Sequence, residues 1–324
     1  MRRLALLCVI ALLPSYGYAA GGADPFAFLL LPADPRQAAM GGAAAAQTAG
    51  SAAIFYNPAG LAYGGRHSAA FMHNEQFQGV KQEVLSLGLR NGLGFGFNFL
   101  DFGDIPRTTV SNPTGSGLGQ FGASDTSLSV GYGRAVNDSA ALGVTAKYVR
   151  EAIDGIAASG LAIDLGGQVD LLRKYDMPLS FGLAIQNVGL TQPKFRTRSE
   201  SFPVVLRFGG AYRWKLGAHG FLAALDLVRQ HRDGVTFHPG VQWSPAESFS
   251  VRLGYNGRND AGSGFTTGLS WRYKDAGLHY AFAPFGELGS ANRFSLSMKF
   301  GEGGGAVASG RVEKRLAAAD TDQP

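Results

Sequence analysis

The sequence predicts an all-β fold, a transmembrane antiparallel β-barrel of about fourteen strands, from three observations. An export signal opens the chain, the composition is rich in glycine and poor in charge, and many segments carry apolar residues at every second position.

The export signal runs over residues 1 to 19: Arg2 and Arg3 precede an uncharged apolar run from 4 to 13, an n-region followed by an h-region. Pro14 ends the run, and Gly17 and Ala19 supply the small residues that place cleavage after Ala19. The run is too short for a membrane-spanning helix. Cys8, the one cysteine, lies inside the signal and too early to be an acylated lipoprotein cysteine, so disulfides and cysteine metal sites are excluded from the mature chain.

Charged residues make up 16% of the chain against the usual quarter or so, and 47 glycines are about twice the ordinary share of roughly 7%. No later stretch approaches the roughly 18 uninterrupted apolar residues of a membrane helix, whereas a barrel facing lipid hides its apolar residues by alternation. The formal charge of +5 is spread out with no basic cluster among aromatics, which argues against nucleic acid as a partner.

Alternation is clear in many segments. Leu161, Ile163, Leu165, Val169 and Leu171 share one face, with Asp164, Gln168 and Asp170 on the other. Phe265, Leu269, Trp271 and Tyr273 oppose Ser270, Arg272 and Lys274; Phe249, Val251, Leu253 and Tyr255 oppose Arg252 and Asn256. Sandwiches also alternate, but here the pattern continues through many long strands. It predicts strands at 66–73, 82–90, 93–101, 123–134, 139–149, 159–170, 178–187, 202–213, 219–230, 234–243, 247–256, 263–274, 276–283 and 291–300. Short connections (91–92, 136–138, 171–177, 214–218, 244–246 and 275) alternate with longer ones (74–81, 102–122, 150–158, 188–201, 257–262 and 284–290), and only 231–233 breaks the rule. Outer-membrane barrels put the short turns in the periplasm, so an even count leaves both mature termini periplasmic.

Tyr132, Tyr148, Tyr212, Trp214, Trp243, Tyr255, Trp271, Tyr273 and Phe300 sit near strand ends, where barrels place aromatic girdles. Phe294, Leu296, Met298 and Phe300 give the last strand the look of one recognised by barrel assembly machinery. The glycine-rich stretch 301–324 has too little apolar content to pack and reads as a flexible periplasmic tail.

Ahead of the first strand, residues 20 to 65 are Ala-rich, with a short helix expected after Pro35. Phe28-Leu29, the stretch 36 to 43, Tyr56-Asn57-Pro58-Ala59-Gly60-Leu61-Ala62, and a closing pattern of Tyr280-Ala281, Pro284-Phe285-Gly286, Leu288-Gly289, Arg293 and Ser295-Leu296 together resemble the PorV/PorQ family of FadL-like outer-membrane proteins. The resemblance covers roughly residues 26 to 300. Where relatives tend to carry an acidic segment, this chain has the run 43 to 49, without carboxylates.

The resemblance implies a fourteen-strand barrel at 66–300 with an N-terminal hatch, a plug of residues 20–65, folded into its lumen. It also implies passive transport of hydrophobic small molecules, without nucleotide or ion. Asn57, Pro58, Ala59 and Gly60 form the hatch motif: Pro58 lacks a backbone donor, Gly60 tolerates a positive φ, and Asn57 can accept or donate in the lumen. Inward-phased Lys147, Asp164, Arg207, Asp226, Arg252 and Arg272, with Lys299, either line a path or solvate and pair within the lumen. Lipid and a hydrophobic ligand are the expected partners; secreted protein cargo bound through the loops is the PorV-like alternative.

No enzyme and no cofactor is expected. Residues 117 to 122 spell G-x-G-x-x-G but follow no βαβ strand and open no helix, so they read as an external loop. The six histidines form no close ligand pair, which argues against a metal.

Overall fold

The computed structural model describes residues 25–195, 198–230 and 234–302; the expected signal peptide, the connection at 231–233 and most of the expected tail lie outside the described residues. The strands are β1 (His67–Glu75), β2 (Lys81–Gly88), β3 (Leu93–Pro106), β4 (Gln120–Ala135), β5 (Ala140–Ile153), β6 (Ile156–Asp170), β7 (Leu179–Gly189), β8 (Lys194–Phe195), β9 (Arg198–Ser199), β10 (Val205–Leu216), β11 (His219–Gln230), β12 (Val235–Ala246), β13 (Phe249–Tyr255), β14 (Phe265–Tyr273), β15 (Ala276–Pro284) and β16 (Ser290–Phe300). β8 and β9 pair only with each other, in the connection between β7 and β10. The remaining fourteen close into one antiparallel barrel in chain order, β1 pairing with both β2 and β16.

Period-two burial is the physical basis of the wall. On β16, Phe294, Leu296 and Met298 are each 54% exposed, while Arg293 and Ser295 between them are 2% and 5% exposed. The faces read on β6, β13 and β14 hold in the same way: Leu161, Leu165, Leu253 and Leu269 point out, whereas Asp164, Gln168, Arg252 and Ser270 are buried inside. Lipid outside and polar groups inside is the arrangement of a transmembrane barrel. Among the described residues no helix is long and apolar enough to cross a membrane. The expected aromatic girdle residues all lie on the outer face, several in stacks such as Tyr212 on Trp214 and Trp271 on Tyr273.

The connections follow the predicted alternation with one correction. The stretch 150–158 is not a longer loop: β5 and β6 run on until Ile153 faces Ile156, and only Asp154 and Gly155 turn. Both have positive φ (51° and 76°), the backbone of a tight hairpin turn. Asp-Gly is a hairpin dipeptide in its own right, and Ile153 and Ile156 beside it continue the two strands to the turn. Arg107 pairs with the Asp154 carboxylate, tying the β3–β4 connection to this turn. Residues 117–119 lie in that connection, but 120–122, expected as loop, already pair with β3 as the start of β4, and no helix follows.

Candidate functional site

The described chain begins inside the barrel, near the end that carries the long loops. Phe26 stacks on Phe202 with ring centroids 4.9 Å apart, and its backbone N–H donates to Glu151 Oε2 at 2.9 Å. Phe26 and Phe28 pack with Leu100, Val149 and Ala158. The chain then forms the short helix expected after Pro35, α1 (Pro35–Ala39). Proline at its first position and Asp34 as cap, accepting from Arg36 N at 2.8 Å, set its start. Burial alone would raise the Asp34 pKa, but the charge and hydrogen bonds of Arg36 outweigh it and hold the carboxyl below its ordinary value. Tyr56 Oη accepts from the backbone N–H groups of Ala33 and Asp34, joining both ends of the luminal segment.

Beyond α1 the chain crosses the lumen as irregular backbone, and Ala43, Ala44 and Ala45 have no exposed surface. A buried loop needs partners for its peptide groups, and the wall supplies them. Asp226 Oδ2 accepts from Ala44 N at 2.8 Å and Ala45 N at 2.9 Å. Arg207 donates to Gly42 O at 2.7 Å, and His238 Nδ1–H to Gly41 O at 2.7 Å. Gln168 donates to Ala46 O, and Thr266 Oγ1 accepts from Gly41 N. The segment is held less by apolar packing than by side chains aimed at its backbone.

Asn57 is fully buried and does both things the sequence allows. Its Oδ1 accepts from Ala59 N, capping the 3₁₀ turn Pro58–Tyr63, while its Nδ2 donates to Ala45 O at 2.7 Å and Gly167 O at 3.0 Å. The expectation for Gly60 needs correcting: it is not among the positive-φ glycines. A Cβ there would sit 2.1 Å from Thr48 O, so closeness of backbone, not φ, requires glycine. Pro58 and Ala59 are buried against the wall at Gly143, where a Cβ would meet Pro58 at 2.3 Å. Close approach also marks Gly166 at Asn57 and Pro58, Gly182 at Ala45, and Gly240 and Gly254 at Met40. Part of the glycine excess read from composition is thus a smooth inner wall, and another part supplies positive-φ turns.

Four of the six predicted luminal residues come together as two ion pairs. Lys147 Nζ lies 2.7 Å from Asp164 Oδ2, and Arg207 2.8 Å from Asp226 Oδ2. Lys147 also donates to Asn187 Oδ1 at 2.8 Å, and Asn187, in the left-handed region (φ 59°), sits beside the register shift between β6 and β7. Arg252 is buried and donates to Gln242 Oε1 and Ser270 Oγ. Arg272, like Lys299, is exposed at the short-turn rim and lines no enclosed space. Missed from the sequence were His238, Thr266 and the luminal glycines, for which inward phase on their strands was the signal; Gln168 lies on the inner face read for it.

Between the luminal segment and the wall lies a cavity of about 90 Å³. Leu29, Leu31 and Phe55 face it from the segment, with Val205, Gln230 and His238 among the wall groups. That is room for about three waters, far below the roughly 300 Å³ at which drug-sized pockets begin. A larger hollow of about 660 Å³, lined by Ala69, Phe71, Leu85 and Leu296, lies on the outer face, where lipid contacts the barrel. Among the described residues no cluster of His, Cys, Asp and Glu fits a metal ion.

No family model and no curated protein matches the chain. Among solved structures it is similar to the CymD monoaromatic hydrocarbon channel, at 13% identity and a TM-score of 0.57 over 85% of this chain and 99% of that one. It is also similar to a Pseudomonas aeruginosa FadL homologue, at 11% identity and a TM-score of 0.52 over 83% and 98%. At these identities the likeness is one of fold: the chain has the architecture of FadL-like outer-membrane barrels.

Proposed function

We propose that the protein sits in the bacterial outer membrane, exported by its cleavable signal, and passes hydrophobic small molecules passively through a plugged lumen. The observation that carries this reading is the luminal segment, which presents Leu29, Leu31 and Phe55 to the internal cavity while its backbone is held by reversible hydrogen bonds. The CymD and FadL-homologue likenesses support it through the fold, and the Tyr56-to-Ala62 and closing motifs support a place in the PorV/PorQ group. Lys147, Asp164, Arg207, Asp226 and Arg252 are used in ion pairs and hydrogen bonds that hold structure, which favours a channel over an enzyme. Since the cavity holds about 90 Å³, passage requires the segment to shift.

Proteoliposomes containing the mature protein should take up members of a panel of aromatic hydrocarbons, alkanes and long-chain fatty acids without nucleotide or an ion gradient. Uptake equal to that of empty liposomes across the whole panel would refute the reading. Specific retention of a secreted protein in outer-membrane pull-downs, with no uptake, would favour the PorV-like role in secretion or surface attachment instead.

A further inference from the structure

The outer wall has a second hollow, of about 520 Å³, across β4 to β7 toward the end with the short turns. Register explains it. Four outward residues, Arg134, Leu142, Gly167 and Leu183, form a row in which each stands beside the next on the neighbouring strand. Leu142 is 61% exposed and Leu183 48%, and Gly167 between them has no side chain, so the apolar ridge is interrupted there. Tyr132, Val144, Leu165 and Ile185 form the next row and bound the hollow toward the middle of the wall.

Arg134 stands at the margin of this hollow. Among the described residues of the wall strands it is the one charged side chain that faces outward at the short-turn end. It is exposed, and no described residue pairs with it, Asp138 in the adjoining turn included. A cation on the lipid face is costly at the bilayer midplane and costs little near the interfaces. Tyr132, of the aromatic girdle, sets that level, and Arg134 lies one step beyond it, among the lipid head groups. The larger hollow on β1 to β4 and β16 has no charged residue in its lining, so it offers an acyl chain no contact for its head. We propose that the β4–β7 hollow and Arg134 bind one anionic phospholipid, its acyl chain lying over Gly167 and its phosphate on the guanidinium fork. No carboxylate pairs with Arg134 that could receive the positive half of a zwitterionic head, so a head with net negative charge is the one selected. This site lies on the lipid side of the wall and stands whether or not the lumen passes cargo.

Native mass spectrometry of the full mature protein in non-ionic detergent, with dioleoyl phosphatidylglycerol and dioleoyl phosphatidylcholine at equal concentration, tests the site. Wild type is expected to retain one phosphatidylglycerol about fivefold more than phosphatidylcholine, the preference that one basic residue at an anionic lipid surface gives. R134Q should lose that preference, and G167L, which fills the hollow, should lower retention of phosphatidylglycerol. K274Q, in the β14–β15 turn at the same end but on the opposite side of the barrel, should behave as wild type. Heat-modifiable mobility on gels establishes that each variant is folded; R134Q alters an exposed side chain, and it decides if G167L does not fold. Equal retention of the two lipids by wild type, wild-type behaviour of folded R134Q or G167L, or a loss in K274Q as large as in R134Q overturns the proposal.

Discussion

At the scale of single residues, the interior is decided by whether a side chain or its absence faces the luminal segment. Gly166 and Gly167 are neighbours on β6 with opposite faces. A Cβ on Gly166 would lie 2.1 Å from Asn57 Oδ1, whereas one on Gly167 would meet Leu142 at an ordinary 3.5 Å. Gly166→Ala should therefore destabilise the protein by about 1–3 kcal/mol, the usual range for overpacking, and Gly167→Ala should leave it close to wild type. Thermal unfolding in detergent of the two variants side by side tests this; equal stability would refute the close contact. Asp34 adds a pH dependence. Its carboxyl is held below its ordinary value of 3.8 by Arg36 against the opposing effect of burial. A group with a depressed folded pKa contributes stability that is present above its ordinary value and lost as pH falls through the folded one. Acid unfolding below about pH 4 should thus be less steep in Asp34→Asn than in wild type, while the asparagine side chain still caps α1.

At the scale of elements, the strands obey local rules and the luminal segment does not. β16 needs only period-two alternation to present Phe294, Leu296 and Met298 to lipid. Leu296→Arg should cost about 2–4 kcal/mol if that position lies near the bilayer midplane, read as a lower unfolding midpoint in denaturant-driven release from liposomes; Ser297→Arg, one residue on and facing inward, should cost less. Equal cost at both positions would contradict the two-faced wall. The 41–46 stretch, by contrast, is neither helix nor strand, and its peptide groups find partners on β6, β10, β11, β12 and β14. Its conformation is written partly in residues more than a hundred positions away.

At the scale of the whole molecule, the barrel is a closed ring of hydrogen-bonded strands whose lumen is filled by its own chain. Wild-type protein in planar bilayers should therefore show little steady conductance. Asp226 accepts from Ala44, Ala45 and Arg207 at once, so Asp226→Asn weakens two holds on the segment and the ion pair that positions Arg207 against Gly42 O. This variant should open measurably more often than wild type in single-channel recording, and its unfolding midpoint should fall, since breaking a buried ion pair from one side costs roughly 3–5 kcal/mol. Unchanged conductance in a folded Asp226→Asn would show that the segment is held chiefly by packing.

The amino-acid sequence by itself determined the wall: fourteen strands, their inner and outer faces, most turns, the aromatic girdle and the short helix after Pro35. These follow from neighbours one to four residues apart, where alternation, proline and turn dipeptides act. The Asp154–Gly155 hairpin was also local, a turn dipeptide flanked by the strand residues Ile153 and Ile156. Only the tertiary structure decided which charges meet, why Gly60 is glycine, and which wall positions must be glycine. Each of those depends on strand register and on how the luminal segment threads the barrel, and a period of two says which face a residue takes but not what stands opposite it.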